Sequence, residues 1–530
     1  MTQADWTSAM SVWRERIGAG NVLDDPSVLS KYSANVSGLS REIKGVLKPG
    51  STEEVRQVVR VANEYRTPLY PISTGMNWGL GSALPVRDYA AIVDLSRMNV
   101  IHEVSSKHLY AEIEPGVTQL QLYDYINKHD LPVMFNVTGS AAGTSLIGNS
   151  LERGIGYFSS RASSLWSLEI VSGAGEIIRT GFGHFENSAA ARHYPYGVGP
   201  SIDGLFFQGN CGIVTRAVFG LMPKPEKHAV IVCKLRRDED LERFVDRLCA
   251  LRRRGVLESV VHIGNRHRQE IALGKPTGDH NSASSGTPPS IMESEGFGDW
   301  SALVGLAGDS RSVRSAAKAV RGSVKGMGKA LMLNDRRLKL MRMLVERLDF
   351  IPCLARKKPL MAGIMAHYGL CKGIPTDETL KSLYWAVGEK VPPHGPQRPD
   401  DGSAGMIYCL PVIPASGDMV RETVRLAEEV FSAHSFAPYI TVNLVDERVA
   451  ECVINVAFDR SNTQERERAQ KCMNSLYETF VGRGIIPYRV GIEAMHHIVN
   501  EKDAYWRAVR DIKKVFDPRN IIAPGRYNLI

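Results

Sequence analysis

Apolar residues fall into two alternating rhythms along the first 225 positions. From Thr52 to Tyr65 they recur as Val55, Val58, Val59, Val61 and Ala62, a stripe on one face of a helix. Short β-branched runs flank it. Val46-Leu47-Lys48-Pro49 reads as a strand end and Ala91-Ile92-Val93-Asp94-Leu95 as a strand. Tyr110 to Val117 reads as a strand leading into a helix over Thr118 to Lys128. Leu168 to Ser172 and Glu176 to Thr180 pair as a hairpin around Gly173-Ala174-Gly175. Strands and helices mixed in this order predict α+β layers with a nucleotide-sized ligand between them.

The pattern changes near Lys224-Pro225. Residues 228–480 read as a second α+β unit, with a strand over His228 to Lys234, a helix over Asp240 to Arg253 and a strand over Met406 to Ile413. Gly274 to Gly298, rich in Gly, Ser and Pro, reads as a surface insertion, and Pro392 to Gly405 as a second break. A helix over Asp503 to Phe516 is followed by the tail Asp517-Pro518-Arg519-Asn520-Ile521-Ile522-Ala523-Pro524-Gly525-Arg526. A chain of 530 residues fits two domains, with room for a discontinuous boundary.

Composition narrows the function classes. Hydrophobic content of 43% and charged content of 23% are those of a soluble globular protein. A net charge of +8 on so long a chain implies no nucleic-acid surface. The basic runs Arg252-Arg253-Arg254 and Arg356-Lys357-Lys358 lack interleaved aromatics. No apolar run approaches the ~20 residues of a membrane span, and Met1 to Trp6 has no signal-peptide character. Eight cysteines without a C-x-x-C pair point to reduced thiols and a cytoplasmic setting. No H-E-x-x-H motif or tight Cys/His cluster suggests a metal.

The chemistry gathers in Gly-rich segments. Pro71-Ile72-Ser73-Thr74-Gly75-Met76-Asn77-Trp78-Gly79-Leu80-Gly81-Ser82-Ala83 mixes glycines with small hydroxyl and amide residues. Such a loop lets backbone N–H groups converge on an anion such as a diphosphate. It is neither a G-x-G-x-x-G fingerprint nor a phosphate loop carrying lysine. Read alone, it is equally a plain Gly-rich turn. Three further segments accompany it: Gly139 to Tyr157, Asp203 to Thr215, and the tail Phe516 to Gly525.

Together these four segments, with the lead-in Pro195-Tyr196-Gly197-Val198-Gly199-Pro200 and the pair Tyr488-Arg489, resemble the vanillyl-alcohol oxidase and 4-cresol methylhydroxylase family of flavoproteins, over nearly the whole chain. The resemblance implies an α+β, two-domain fold. Its discontinuous FAD-binding domain would comprise residues 1–225 and 488–530, and its cap domain residues 226–487. By the same resemblance, Ser73, Thr74, Gly75, Met76 and Asn77 hold the FAD diphosphate. Gly143, Thr144, Gly148 and Asn149 line the other side of the cofactor, and Gly154, Gly156, Ile213 and Val214 pack near its ribityl and adenine portions. An uncharged amide cradle can neutralise a diphosphate without a lysine.

The family passes hydride to flavin N5 from a benzylic or allylic carbon of a 4-hydroxyphenyl substrate. Tyr488 and Arg489 stand where it places a tyrosine and an arginine at the phenolic oxygen, as a hydroxyl donor and a fixed positive charge. Two departures matter. Leu80 occupies the position of a second phenol-binding tyrosine, and Val137-Thr138-Gly139-Ser140 carries no aspartate where the family's oxidases place one near N5. They point to a changed substrate, or to a reaction that needs neither group, such as oxidative decarboxylation in natural-product tailoring. A third alternative is an inactive flavin-binding or electron-transfer subunit.

Met406 stands where some relatives carry a flavin-linking histidine and cannot form that bond. Tyr408, Tyr384 and His394 are the alternative tethers, and the expectation is noncovalent or tyrosyl-linked FAD. Tyr408 and His497 join Leu80 as candidate pocket residues, with His496-His497 placed on a helix. Cys211 reads as a small hydrophobe and Trp78 as a packing residue. The expected partners are a small aromatic substrate and either oxygen or an electron-acceptor protein. Family relatives imply a homodimer.

Overall fold

The computed structural model describes residues 3–80, 83–271, 298–347, 358–392 and 398–528. The expected insertion up to position 297, and His394, lie outside the described residues.

The helix Thr52–Tyr65 forms where the apolar stripe predicts it. Ser51 caps its first turn by accepting from the Glu54 N–H at 3.2 Å, and Arg66 ends it in the left-handed region at φ 55°. Its five stripe residues are buried against a four-stranded sheet of Val22–Leu23, Ile43–Leu47, Ala90–Asp94 and Leu69–Ile72, in that spatial order. The last three strands run parallel. The far end of the chain completes this layer. The Leu69 N–H donates to the Ile521 carbonyl at 2.8 Å, the Ala523 N–H donates to the Leu69 carbonyl at 2.7 Å, and Ile521 and Ile522 are buried in the same core. A buried Lys513–Asp517 pair fixes the tail: Lys513 Nζ also donates to the Asn210 and Ile522 carbonyls, and the Asp517 carboxylate accepts from the N–H groups of Ile521 and Ile522.

Beside this layer lies a five-stranded antiparallel sheet. It contains the expected hairpin as Leu165–Ser172 paired with Ile177–Arg179. The helix Gln119–Lys128 follows its cap Thr118, as the pattern predicts.

The middle of the chain builds an eight-stranded antiparallel sheet. In spatial order its strands are Gly328–Leu333, Lys227–Leu235, Trp300–Gly308, Val261–Asn265, Tyr439–Leu444, Val449–Asp459, Ala404–Pro414 and Pro487–Arg489. The helices Leu241–Arg253, Ser310–Val324, Gly417–Ala433 and Thr463–Gly482 share one core with it, reached by Ile440, Val442, Leu444, Cys452, Ile454, Val456, Ile407 and Cys409. Side chains of a strand alternate between faces. The intervening Tyr439, Thr441, Asn443, Val453, Asn455, Met406, Tyr408 and Leu410 therefore point to the opposite face, where they line a cleft.

Two details depart from expectation. The edge strand Pro487–Arg489 pairs with Ala404–Pro414, Arg489 opposite Leu410, so the expected division at 487/488 falls inside a strand of this sheet. His496 and His497 sit in a single 3-10 turn, Met495–His497, rather than on a longer helix.

Candidate active site

Two clefts meet between these layers. The first runs along residues 70–77 and is closed by 144–152, 206–214 and 522–526. It begins where the strand Leu69–Ile72 ends. There Gly75 takes φ +70°, a conformation that favours glycine and turns the loop across the cleft. Opposite, Ser145 caps the short helix Leu146–Leu151: its hydroxyl accepts from the Gly148 N–H at 2.9 Å and donates to the Pro115 carbonyl at 2.6 Å. The two walls touch at Gly148, where an added Cβ would lie 2.2 Å from Ser73 Oγ. Only glycine permits that approach.

The second cleft lies over the face of the eight-stranded sheet that is turned away from its helices. Met76, Asn77, Asn149 and Arg489 line both clefts and mark their junction. A charged cluster forms there. Arg489 donates to the Asn77 side-chain oxygen and lies 3.6 Å from the Glu152 carboxylate. Arg526 pairs with the other oxygen of Glu152 and donates to the Tyr70 hydroxyl at 2.9 Å. Burial works to raise the Glu152 carboxyl, but Arg526 and Arg489 overcome it and hold the group ionised. Among the described residues Glu152 is the one carboxylate in an ion pair with either arginine, so the cluster keeps one positive charge in excess while Glu451, the next acidic group within reach of Arg489, holds its proton. Asn149 Oδ1 and Arg489 Nε are buried there without hydrogen-bond partners.

Tyr488 is pinned from both sides. Its carbonyl accepts from Gln208 Nε2 at 3.0 Å, and its hydroxyl shares a hydrogen bond with the Glu451 carboxyl. Burial, reinforced by Glu451, pushes the Tyr488 hydroxyl well above the ordinary phenol range. Burial likewise raises Glu451 to about 7, against the opposing pull of Tyr488 and Arg489. Leu80, 6% exposed, lines the second cleft. Tyr408 stands beside it, its ring 2.1 Å from where a Cβ on Gly79 would sit. Trp78 packs with Val36, Ala141, Leu380, Leu383 and Met406.

At the other side of this cleft, the rings of Tyr157 and His262 pack at a tilt of 44° with centres 4.5 Å apart, and His262 Nδ1 meets Asn443 Oδ1 at 2.7 Å. Burial drives His262 down to about 3 and His367 to about 4, so both imidazoles are neutral. Arg268 completes this wall.

The sequence-derived residues divide accordingly. Ser73, Thr74, Gly75, Met76, Asn77, Thr144, Gly148, Asn149, Ile213 and Val214 line the first cleft, and Gly154, Leu80, Tyr408, Tyr488 and Arg489 the second. Gly143 and Gly156 line neither cleft; they leave room for Met76 and for the Asn136 side chain. His497 is not brought to the site. It stacks on Tyr477, 5.3 Å between ring centres, because its turn packs on the helix Thr463–Gly482. Tyr384 is buried on the helix Lys381–Ala386 and lines neither cleft. Cys211 is a buried free thiol, pushed up by burial.

Sequence reasoning missed Glu152, Arg526, Glu451, Tyr157, His262, Arg268 and His367. One signal was present: in the strand Tyr439–Leu444 the polar Thr441 and Asn443 alternate with the apolar Ile440, Val442 and Leu444.

Residues 43–181 match the FAD binding domain family, and residues 354–527 match the family of FAD linked oxidases, C-terminal domain. The chain is similar to 1'-carboxy-chondrochloren decarboxylase of Chondromyces crocatus, 30% identical over 98% of this chain and 97% of that protein. It is 28% identical to the 4-cresol dehydrogenase [hydroxylating] flavoprotein subunit of Pseudomonas putida, over 100% of this chain and 96% of the relative. The crystal structure of p-cresol methylhydroxylase with substrate bound superposes with a TM-score of 0.87 at 27% identity, covering 100% and 98% of the two chains. The 4-ethylphenol oxidase of Gulosibacter chungangensis shares the fold, with a TM-score of 0.89 at 23% identity over 100% and 98%.

Proposed function

The chain belongs to the p-cresol methylhydroxylase-type family of FAD-dependent oxidoreductases, and on that premise we propose that it removes hydride from the benzylic carbon of a para-hydroxyphenyl substrate held in the second cleft. FAD fits the residues present in the first. The 73–77 loop and the 144–149 turn face each other with backbone N–H groups and hydroxyls, and Asn149 Oδ1 and Arg489 Nε are buried at the junction without hydrogen-bond partners. When bound, FAD supplies the two-electron acceptor for the hydride. We assign Ser73 to Asn77 to the diphosphate and Thr144, Gly148 and Asn149 to the opposite side. Ile213 and Val214 supply apolar wall, while Gly143, Gly154 and Gly156 act as space-makers.

One observation carries the substrate reading: two buried arginines share a single carboxylate, leaving a positive charge at the end of the cleft that Tyr488 and Tyr408 also line. A phenolate neutralises it. Arg489 stabilises the phenolate oxygen, and Tyr488 orients it. Tyr408, seated against Gly79 beside Leu80, contributes the second hydroxyl that Leu80 lacks. The phenolate electrons move into the ring as the benzylic C–H bond breaks, and a quinone methide remains.

The fate of that quinone methide favours a second reading. Among the described residues no aspartate or glutamate lines the second cleft, so no carboxylate is placed to activate water for addition. Where the side chain carries a carboxylate one carbon beyond the benzylic position, the C–CO₂ bonding pair forms the new alkene, CO₂ departs and the phenolate is restored. No base takes part. A cytoplasmic setting with reduced thiols is part of this proposal, supported by the seven described cysteines being free and buried, and so is the homodimer that the family resemblance implies.

The test is anaerobic mixing of the flavin-loaded protein with 4-propylphenol and with 3-(4-hydroxyphenyl)propanoate. Loss of the flavin absorbance with a dehydrogenated or decarboxylated phenol by mass spectrometry is the expected result. Oxidation of neither compound would overturn the reading.

A further inference from the structure

Among the described residues, the second cleft holds a cation without a hydrogen-bond or ion-pair partner. Arg266, His267 and Arg268 follow one another in the short helix Arg266–Ile271, directly after the strand Val261–Asn265. Arg266 pairs with Asp299, and His267 lies 3.6 Å from Glu270. Arg268 is the one of the three that lines the cleft. Its backbone N–H donates to Asn265 Oδ1 at 3.1 Å, fixing the turn, while its guanidinium has no hydrogen bond or ion pair among the described residues. Next to it, His262 Nε2 is buried without a partner.

We propose that this wall is a carboxylate subsite, with Arg268 as its cation and His262, His367 and Tyr157 as its neutral surround. The substrate class is therefore para-hydroxyphenyl compounds that carry an acid on the side chain. The inference rests on Arg489 marking the phenol end. Strand order supplies the spacing. His262 lies on Val261–Asn265 and Arg489 on Pro487–Arg489, with three strands between them, so the two walls stand roughly 19 Å apart at strand spacing. With both histidines neutral and no acidic side chain among the described lining residues, none of those residues competes for the guanidinium. Its planar fork matches a carboxylate through two parallel hydrogen bonds.

The experiment is calorimetric binding to the flavin-loaded protein, reduced beforehand so that no turnover occurs. The probes are 4-(4-hydroxyphenyl)butanoate, its methyl ester and 4-propylphenol. The acid is expected to bind about ten-fold or more tightly than its ester, as a charged group paired in a cleft does. In Arg268→Gln the acid-to-ester ratio should collapse towards one, and Arg268→Lys should restore part of it. Equal binding of acid and ester to the unaltered protein, with 4-propylphenol still bound, would overturn the subsite and leave the phenol reading standing. A large ratio that survives Arg268→Gln also overturns it. Binding of none of the probes brings down the phenol reading and the subsite together. If Arg268→Gln loses its flavin or its fold, the acid-to-ester ratio of the unaltered protein and of Arg268→Lys decides.

Discussion

The two clefts meet at Met76, Asn77, Asn149 and Arg489, yet they are built by different means. The first is walled by short contiguous stretches, largely backbone, hydroxyls and glycines. The second gathers side chains from positions as far apart as Trp78 and Arg489, delivered by alternate residues of five neighbouring strands and by the helices beside them. A diphosphate asks for N–H groups, which every residue offers if the chain turns correctly. A substituted phenol asks for particular side chains at particular distances. The same cofactor site can therefore serve many substrates, and departures such as Leu80 collect in the second cleft.

The sharpest way to break this contrast is at the junction. Glu152→Gln leaves two buried guanidiniums without their carboxylate and should cost about 3–5 kcal/mol of stability, read by urea denaturation, with both clefts affected. Arg489→Met removes the charge assigned to the phenolate and should lower kcat/KM for a 4-alkylphenol by about 10²–10³ while flavin content is kept. Gly148→Ala tests the first cleft alone: its Cβ would lie 2.2 Å from Ser73 Oγ. That protein should purify folded but with much of its flavin lost, measured by absorbance after heat release.

Glu451 isolates the second cleft. Burial raises its carboxyl from 4.5 to about 7 in the folded protein, so the folded state binds the proton more tightly than the unfolded chain does. Its stabilising effect is complete below the ordinary glutamate range and is lost as pH rises from there to about 7, a fall of roughly 3 kcal/mol. Glu451→Gln should flatten that part of the pH–stability curve. The smallest effect is expected for Leu80→Tyr, which returns a hydroxyl beside Tyr408 and should change 4-alkylphenol turnover by about 1 kcal/mol or less in the barrier.

The legible parts of the fold were those with a local cause. The helix Thr52–Tyr65 has its stripe and its cap within one run of sequence, and the hairpin of Leu165–Ser172 with Ile177–Arg179 has its turn glycines. Most of the first cleft was legible for the same reason. His497 was misplaced because a pair of histidines shows no side to which it turns; the helix Thr463–Gly482 decided that. Glu152 lay unremarked inside the second Gly-rich stretch because its partners, Arg489 and Arg526, are more than 330 residues away along the chain.

Taken alone, the amino-acid sequence determined the layers, the glycines at which the walls of the first cleft approach one another, and the family to which they belong, because periodicity and backbone freedom are properties of neighbouring residues. Tertiary structure alone decided that Arg489 and Arg526 share one carboxylate, that Tyr408 stands beside Leu80, and that Arg268 faces the cleft while its neighbours are paired. Those relations arise from strand order and register, which bring distant residues within ångströms, and charge acts over ångströms rather than along the chain.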